Sequence, residues 1–145
     1  MAEFYVAVGD SVRFSKTVSE SDVYLFAGIT GDLAPNHVDE EFMRRTPYGR
    51  RIAHGALLIG YMSTASSMMV ERHGGLDGEE TPVSLGYDRI RFTAPVFFGD
   101  TITVTYAIAE TDPARRRSKS RIEATNQRGE TVAVAEHILK WVANT

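Results

Sequence analysis

The sequence predicts an α+β fold in which a curved antiparallel sheet wraps around one long buried helix. Three observations carry that expectation. Residues 52–70 run for nineteen positions without Asp, Glu, Lys or Arg, and a helix apolar on nearly every side belongs inside a core. The second half of the chain switches to a period of two, with Ile102, Val104, Tyr106 and Ile108 alternating with Thr and Ala, as half-buried strands do. Breakers separate these runs at Gly99-Asp100, Asp112-Pro113 and residues 126–129, which leaves short turns between strands.

Each element follows in order. Residues 11–18 alternate weakly and read as a first strand. Ser21-Asp22 offers a capped start to a short helix from Val23 to about Ile29. Residues 31–37 read as a loop, because Pro35 pushes Ala34 out of the helical region and breaks any helix there. Asp39, Glu40 and Glu41 are first-turn acids of another short helix ending near Thr46-Pro47. A second loop, residues 48–51, leads into the central helix. Arg72, His73 and the pair Gly74-Gly75 mark its end. Strands are expected over residues 83–92, 102–108, 115–125 and 131–142, joined as an antiparallel meander. One such sheet leaves a strand edge or helix surface uncovered, so a homodimer is expected.

Composition narrows the function classes. A chain of 145 residues makes one domain, residues 1–145, large enough to hold itself together without disulfides. Apolar content of 43% and charged content of 24% are ordinary for a globular domain. The absence of cysteine removes thiolate nucleophiles and Cys-based zinc or iron–sulfur sites. A net charge of −3 argues against nucleic acid as a partner. Residues 1–10 hold Glu3 and Asp10 and no basic residue, so no signal peptide is expected. The stretch 52–70 carries His54, Gly55, Gly60, Ser63, Thr64, Ser66 and Ser67, too polar for a membrane span. The expected location is the cytoplasm.

Three segments carry chemistry. The loop Gly31-Asp32-Leu33-Ala34-Pro35-Asn36-His37 sets a carboxylate and an imidazole five residues apart. Such a pair can hold a water and divide proton transfer between them; the plainer reading is an Asx-type turn beside an exposed histidine. At Ile52-Ala53-His54-Gly55, a glycine opening a buried helix leaves uncapped backbone N–H groups at the positive end of the dipole. That suits an oxyanion; alternatively Gly55 only permits close packing and His54 caps the turn. Ser63, nine residues after His54, reads unaided as a core serine bonded to a main-chain carbonyl. Third, Arg115, Arg117, Lys119 and Arg121 share one face of a strand. They suit nucleotide phosphates or nucleic acid, or are a solvated face. The four histidines lack metal-ligand spacing. His137 reads as a core histidine with a bonded partner, and Met62, Met68 and Met69 as core filler.

Three motifs carry a resemblance. The run from Phe26 to His37 resembles the hydratase-2 motif of (R)-specific enoyl-CoA hydratases and the wider MaoC-like dehydratases. Arg51-Ile52-Ala53-His54-Gly55-Ala56-Leu57-Leu58 is similar to that family's His-Gly helix start, and Pro95-Val96-Phe97-Phe98-Gly99-Asp100 to its Pro-Val-x-x-Gly-Asp turn. The three occur in the family's order and cover most of the chain. One departure stands out: Ala34 precedes Pro35 where the family usually has Asn, and Asn36 stands before the histidine. It bears on loop bonding and substrate preference. The resemblance implies a hot-dog fold, usually homodimeric. It implies Asp32 and His37 as an acid–base pair, Gly55 N–H as oxyanion donor and Ser63 as a supporting hydroxyl. It also places Ala34, Pro35, Asn36, His54 and Leu58 at the substrate. The implied reaction is reversible hydration of a trans-2-enoyl-CoA to an (R)-3-hydroxyacyl-CoA, with no metal and no cofactor. Its partner would be an acyl-CoA or acyl-carrier-protein thioester. The basic stripe is the candidate for the CoA phosphates. Alternatives are a hot-dog acyl-CoA thioesterase and a non-catalytic acyl-binding subunit.

Overall fold

Five strands, β1 (Ser11–Thr17), β2 (Glu80–Phe92), β3 (Thr101–Asp112), β4 (Arg117–Thr125) and β5 (Thr131–Ala143), form an antiparallel sheet in the order β1-β3-β4-β5-β2. The computed structural model describes residues 4–73 and 78–145. The meander expected from the breakers holds for β3, β4 and β5. β2, however, crosses to the far edge to pair with β5. Pro82 lies on that edge strand, where its missing N–H removes no ladder bond from a central position. The period of two sorts the side chains as expected. Ile102, Val104, Tyr106 and Ile108 are buried, as are Ser118, Ser120, Ile122 and Ala124 on the neighbouring strand. The residues between them on β3 and β4 are partly or fully exposed.

The helices are α1 (Glu20–Thr30), α2 (Pro35–Val38), α3 (Glu40–Arg44) and α4 (Gly55–His73). The inner face of the sheet closes over α4, which packs against β1 and β3. Leu58, Met62, Ala65 and Met69 of the helix are each 2% exposed or less, and Met68 packs against the same core. No described helix is long and apolar enough to cross a membrane.

Three boundaries differ from the sequence reading. The central helix begins at Gly55, not Ile52, because the backbone of residues 52–53 is already engaged. Ile52 N–H donates to the Asn36 carbonyl, Ala53 N–H donates to the Val96 carbonyl, and Ile52 forms a bridge with Phe97. At its other end the helix reaches His73, with Arg72 and His73 in the last turn as expected; the expected Gly74-Gly75 stop lies outside the described residues. Pro35 starts a helical turn instead of preventing one, since proline at the first helical position loses no bond. Ala34 before it is extended at φ −59°, ψ 142°. Finally, Arg115 lies in the turn before β4, with Arg116 left-handed at φ 57°, so the strand face holds Arg117, Lys119 and Arg121 only.

The cap of α1 is Ser19, not Ser21-Asp22. Ser19 Oγ accepts from Asp22 N–H, and the Asp22 carboxylate accepts from Ser19 N–H and from Lys16. Those donors hold the Asp22 carboxyl below its ordinary value, Lys16 first among them. The Ser19→Ala variant is expected to lose about 1 kcal/mol of stability, read as a shift in urea midpoint.

Candidate active site

Local chain logic builds the site around two loops that face each other. Thr30 ends α1, and Gly31 takes the left-handed conformation at φ 84° that a helix C-cap requires. The chain then turns back. The Asp32 carboxylate accepts the Ala34 N–H at 3.3 Å, so the Asx turn weighed from sequence is present and itself orients the carboxylate. His37 follows on α2. It is buried at 7% exposure, unlike the exposed histidine of the plainer reading.

His37 is held in one tautomer. Its Nδ1 lies 2.8 Å from the Ile52 carbonyl oxygen. A carbonyl only accepts, so Nδ1 carries the hydrogen and Nε2 of the neutral ring keeps a lone pair. Ile52 thus grips α2 twice, through its N–H to Asn36 and its carbonyl to His37.

His54, 2% exposed, lies behind His37. The two rings stack with centroids 3.7 Å apart and planes 25° apart, and Phe26 packs on the His54 ring at 4.7 Å. His54 Nε2 donates to the Asp32 main-chain carbonyl at 2.9 Å, tying the Asp32 loop to the helix start. Its Nδ1 is buried with no partner among the described residues, so it does not cap the helix. One carboxylate oxygen of Asp32 and one ring nitrogen each of His37 and His54 lie within 4.8 Å of one another. Three such groups are a conceivable cation site. The stacking works against it: imidazole lone pairs lie in the ring plane, and near-parallel rings do not aim them at one point. A water, in contrast, needs only about 2.8 Å to each of two partners.

Beside the pair opens a cavity of about 450 Å³. Asn36, His37, Gly55, Ala56, Leu58 and Tyr48 line it together with residues 92–96. Gly55 is the first residue of α4, so its N–H has no acceptor within the helix. A side chain there would also meet an obstacle, since a Cβ on Gly55 would lie 2.8 Å from the Phe92 ring. The turn after the cavity wall is braced by Asp100, 4% exposed, whose carboxylate accepts from Phe97 N–H and from Gln127. That brace holds Val96, the partner of Ala53, in place.

The expected residues therefore divide. Asp32 and His37 come together, with Gly55, Asn36 and Leu58 on the adjoining cavity. Asp32 itself is exposed, while Ala34 and Pro35 stand on the loop outside the lining and His54 supports from behind. Ser63 is not brought to the pair. It is exposed, not a core serine, and borders a second cavity of about 340 Å³ with Ser66, Ser84, Tyr87 and His137. The lining residues Tyr48, Phe92 and Thr93 were missed from sequence, because their meeting depends on β2 ending beside α4. The Tyr48 loop carried one readable sign, the basic run around it.

The comparisons agree with this layout. A family model described as the MaoC like domain matches residues 3–131. The (R)-specific enoyl-CoA hydratase of Rhodospirillum rubrum is 35% identical over 74% of this chain and 69% of its own. The 3-hydroxyacyl-thioester dehydratase Z of Mycobacterium tuberculosis is 28% identical over 99% of this chain and 96% of its own. Among solved structures, the (R)-hydratase of Aeromonas caviae superposes with a TM-score of 0.82 at 26% identity, covering 93% of this chain and 96% of that one. Sheet, helix and relatives together define a hydro-lyase of the hot-dog class. The chain belongs to the MaoC-like dehydratase family.

Proposed function

We propose that the protein hydrates trans-2-enoyl-CoA reversibly to (R)-3-hydroxyacyl-CoA, with Asp32 and His37 as the acid–base pair. The observation that supports this reading is the His37 ring, tautomer set by the Ile52 carbonyl and Nε2 lone pair free, within 4.8 Å of a carboxylate oxygen and beside the cavity. Bulk water, with a pKa near 15.7, needs a base as it attacks. Asp32 and His37 take one proton from the water while its oxygen bonds to C3, and a proton passes from the pair to C2. Negative charge developing on the thioester oxygen meets the Gly55 N–H at the positive end of α4. Ser63 is given no part in the proton transfer, because it lies about two turns of helix beyond Gly55 and borders a different cavity. The reaction uses no cofactor beyond the thioester carrier.

Crotonyl-CoA tests the reading: loss of the conjugated enoyl absorbance without thiol release supports it. Release of thiol with the double bond retained makes the protein a thioesterase instead, and binding without turnover a non-catalytic subunit. The same reading includes a homodimer formed through the exposed β2 edge, where Val83 and Leu85 are 38% and 48% exposed; sedimentation velocity measures it.

The oxyanion donor has its own test. Proline is tolerated at the first helical position but has no N–H. With Phe92→Leu in both backgrounds to make room for the new Cβ, Gly55→Pro is expected to lose about 10²–10³ in kcat relative to Gly55→Ala. Equal rates in the two variants would remove that role.

A further inference from the structure

The basic stripe expected to hold phosphates is on the side of the sheet away from α4 and is interleaved with acidic residues. Arg117, Lys119 and Arg121 alternate with the buried Ser118 and Ser120, so they face away from α4. Each has one acidic neighbour in register: Asp112 beside Arg117, Glu110 beside Lys119, and Glu136 beside Arg121. Lys119 reaches Glu110 at 4.0 Å.

A different basic segment flanks the cavity. Residues 44–51 hold four arginines, Arg44, Arg45, Arg50 and Arg51. Arg44 pairs with Glu41, and Arg51 with Glu20 and Glu40. Arg45 and Arg50 are exposed and meet no carboxylate among the described residues. Arg50 lies 4.1 Å over the Phe97 ring. Phe97 in turn bridges to Ile52, and both Ile52 and Tyr48 line the cavity. Arg50 is therefore seated beside the cavity wall by an aromatic face, and Arg45, five residues earlier on the same segment, is a second exposed guanidinium without a carboxylate partner among the described residues.

We infer that Arg45 and Arg50 hold the phosphates of the CoA nucleotide while the acyl thioester lies at Gly55. This rests on the hydratase reading above. In CoA the phosphates are separated from the sulfur by the whole pantetheine arm, so they fall at the mouth and not beside the pair. Guanidinium presents a planar fork of donors that matches phosphate oxygens, which a lone ammonium does not.

Calorimetry with free CoA and with pantetheine, which lacks the phosphates, tests this without turnover. The Arg45→Glu/Arg50→Glu double variant is expected to bind CoA roughly tenfold or more weakly. Pantetheine binding stays unchanged, and the CoA difference shrinks at high salt. Arg117→Glu/Arg121→Glu serves as the control and changes neither. In turnover, the double variant raises KM for crotonyl-CoA at unchanged kcat and leaves crotonyl-pantetheine unaffected. The inference is overturned by a wild type that binds no CoA, by equal losses for CoA and pantetheine, or by a loss seen only in the stripe control. It is overturned as well if the arginine reversal weakens a holo acyl-carrier protein but not CoA. Arginine-dependent CoA binding in a protein that hydrates no enoyl thioester would overturn the hydratase reading and leave this one standing.

Discussion

Asp32→Asn and His37→Gln are each expected to fold with little change in Tm and to hydrate crotonyl-CoA about 10²–10⁴-fold more slowly than wild type. That is the range over which one positioned acid or base contributes. The structure separates the chemical effect from the structural one. Asp32 is exposed, and Asn keeps a side-chain oxygen to accept the Ala34 N–H, so the Asx turn survives while the proton acceptor goes. Gln at position 37 keeps a donor for the Ile52 carbonyl but offers no basic nitrogen. Because the two groups are proposed to share one water, their losses will be less than additive in the double variant. Retained hydration in either single variant, with circular dichroism unchanged, would sink the pair.

The second large effect concerns stability and a histidine outside that site. His137 is 1% exposed. Its Nε2 lies 2.7 Å from Ser84 Oγ and its Nδ1 2.7 Å from Tyr106 Oη, while Tyr87 stacks on the ring. Burial pushes its pKa down from 6.5 to about 4. Between those values the unfolded chain binds a proton at this ring and the folded chain does not. Acid therefore favours unfolding: the contribution is fully present above pH 6.5 and is lost as pH falls towards 4. At about 1.4 kcal/mol per pH unit this amounts to about 3 kcal/mol. The His137→Gln variant has no ring to titrate. In urea titrations at a series of pH values, wild type should lose about 3 kcal/mol more than this variant between pH 6.5 and pH 4. Parallel profiles would show that His137 carries no such linkage.

Much of this protein was readable in the order of its residues. The fully buried alternation Ile102, Val104, Tyr106, Ile108 needed only the two-residue geometry of a strand. His137 announced itself as a core residue by sharing a face with Ala135, Leu139 and Trp141. The Asp32–His37 loop was legible because one helix end, one Asx turn and one proline act within seven residues. Errors gathered where long-range partners overrule local preference. Nothing near Ile52 in sequence says that Val96 and Phe97 will hold it extended, so the helix start moved to Gly55. Likewise nothing within residues 115–121 says that Glu110 and Glu136, from other strands, will register beside Lys119 and Arg121.

The chain by itself determined the elements, the faces they bury and the identity of the loop that carries the proposed acid–base pair. Those depend on periodicity and on bonds between residues a few positions apart. Folding in space decided the rest: the tautomer of His37, the ring of His54 stacked behind it, and the seat of Arg50 over Phe97 beside the cavity. These depend on groups fifteen or more positions apart meeting at about 3–4 Å, as Ile52 meets His37 at 2.8 Å and Phe97 meets Arg50 at 4.1 Å. Sequence pattern records which residues turn inward. Only the packed chain records whom they meet there.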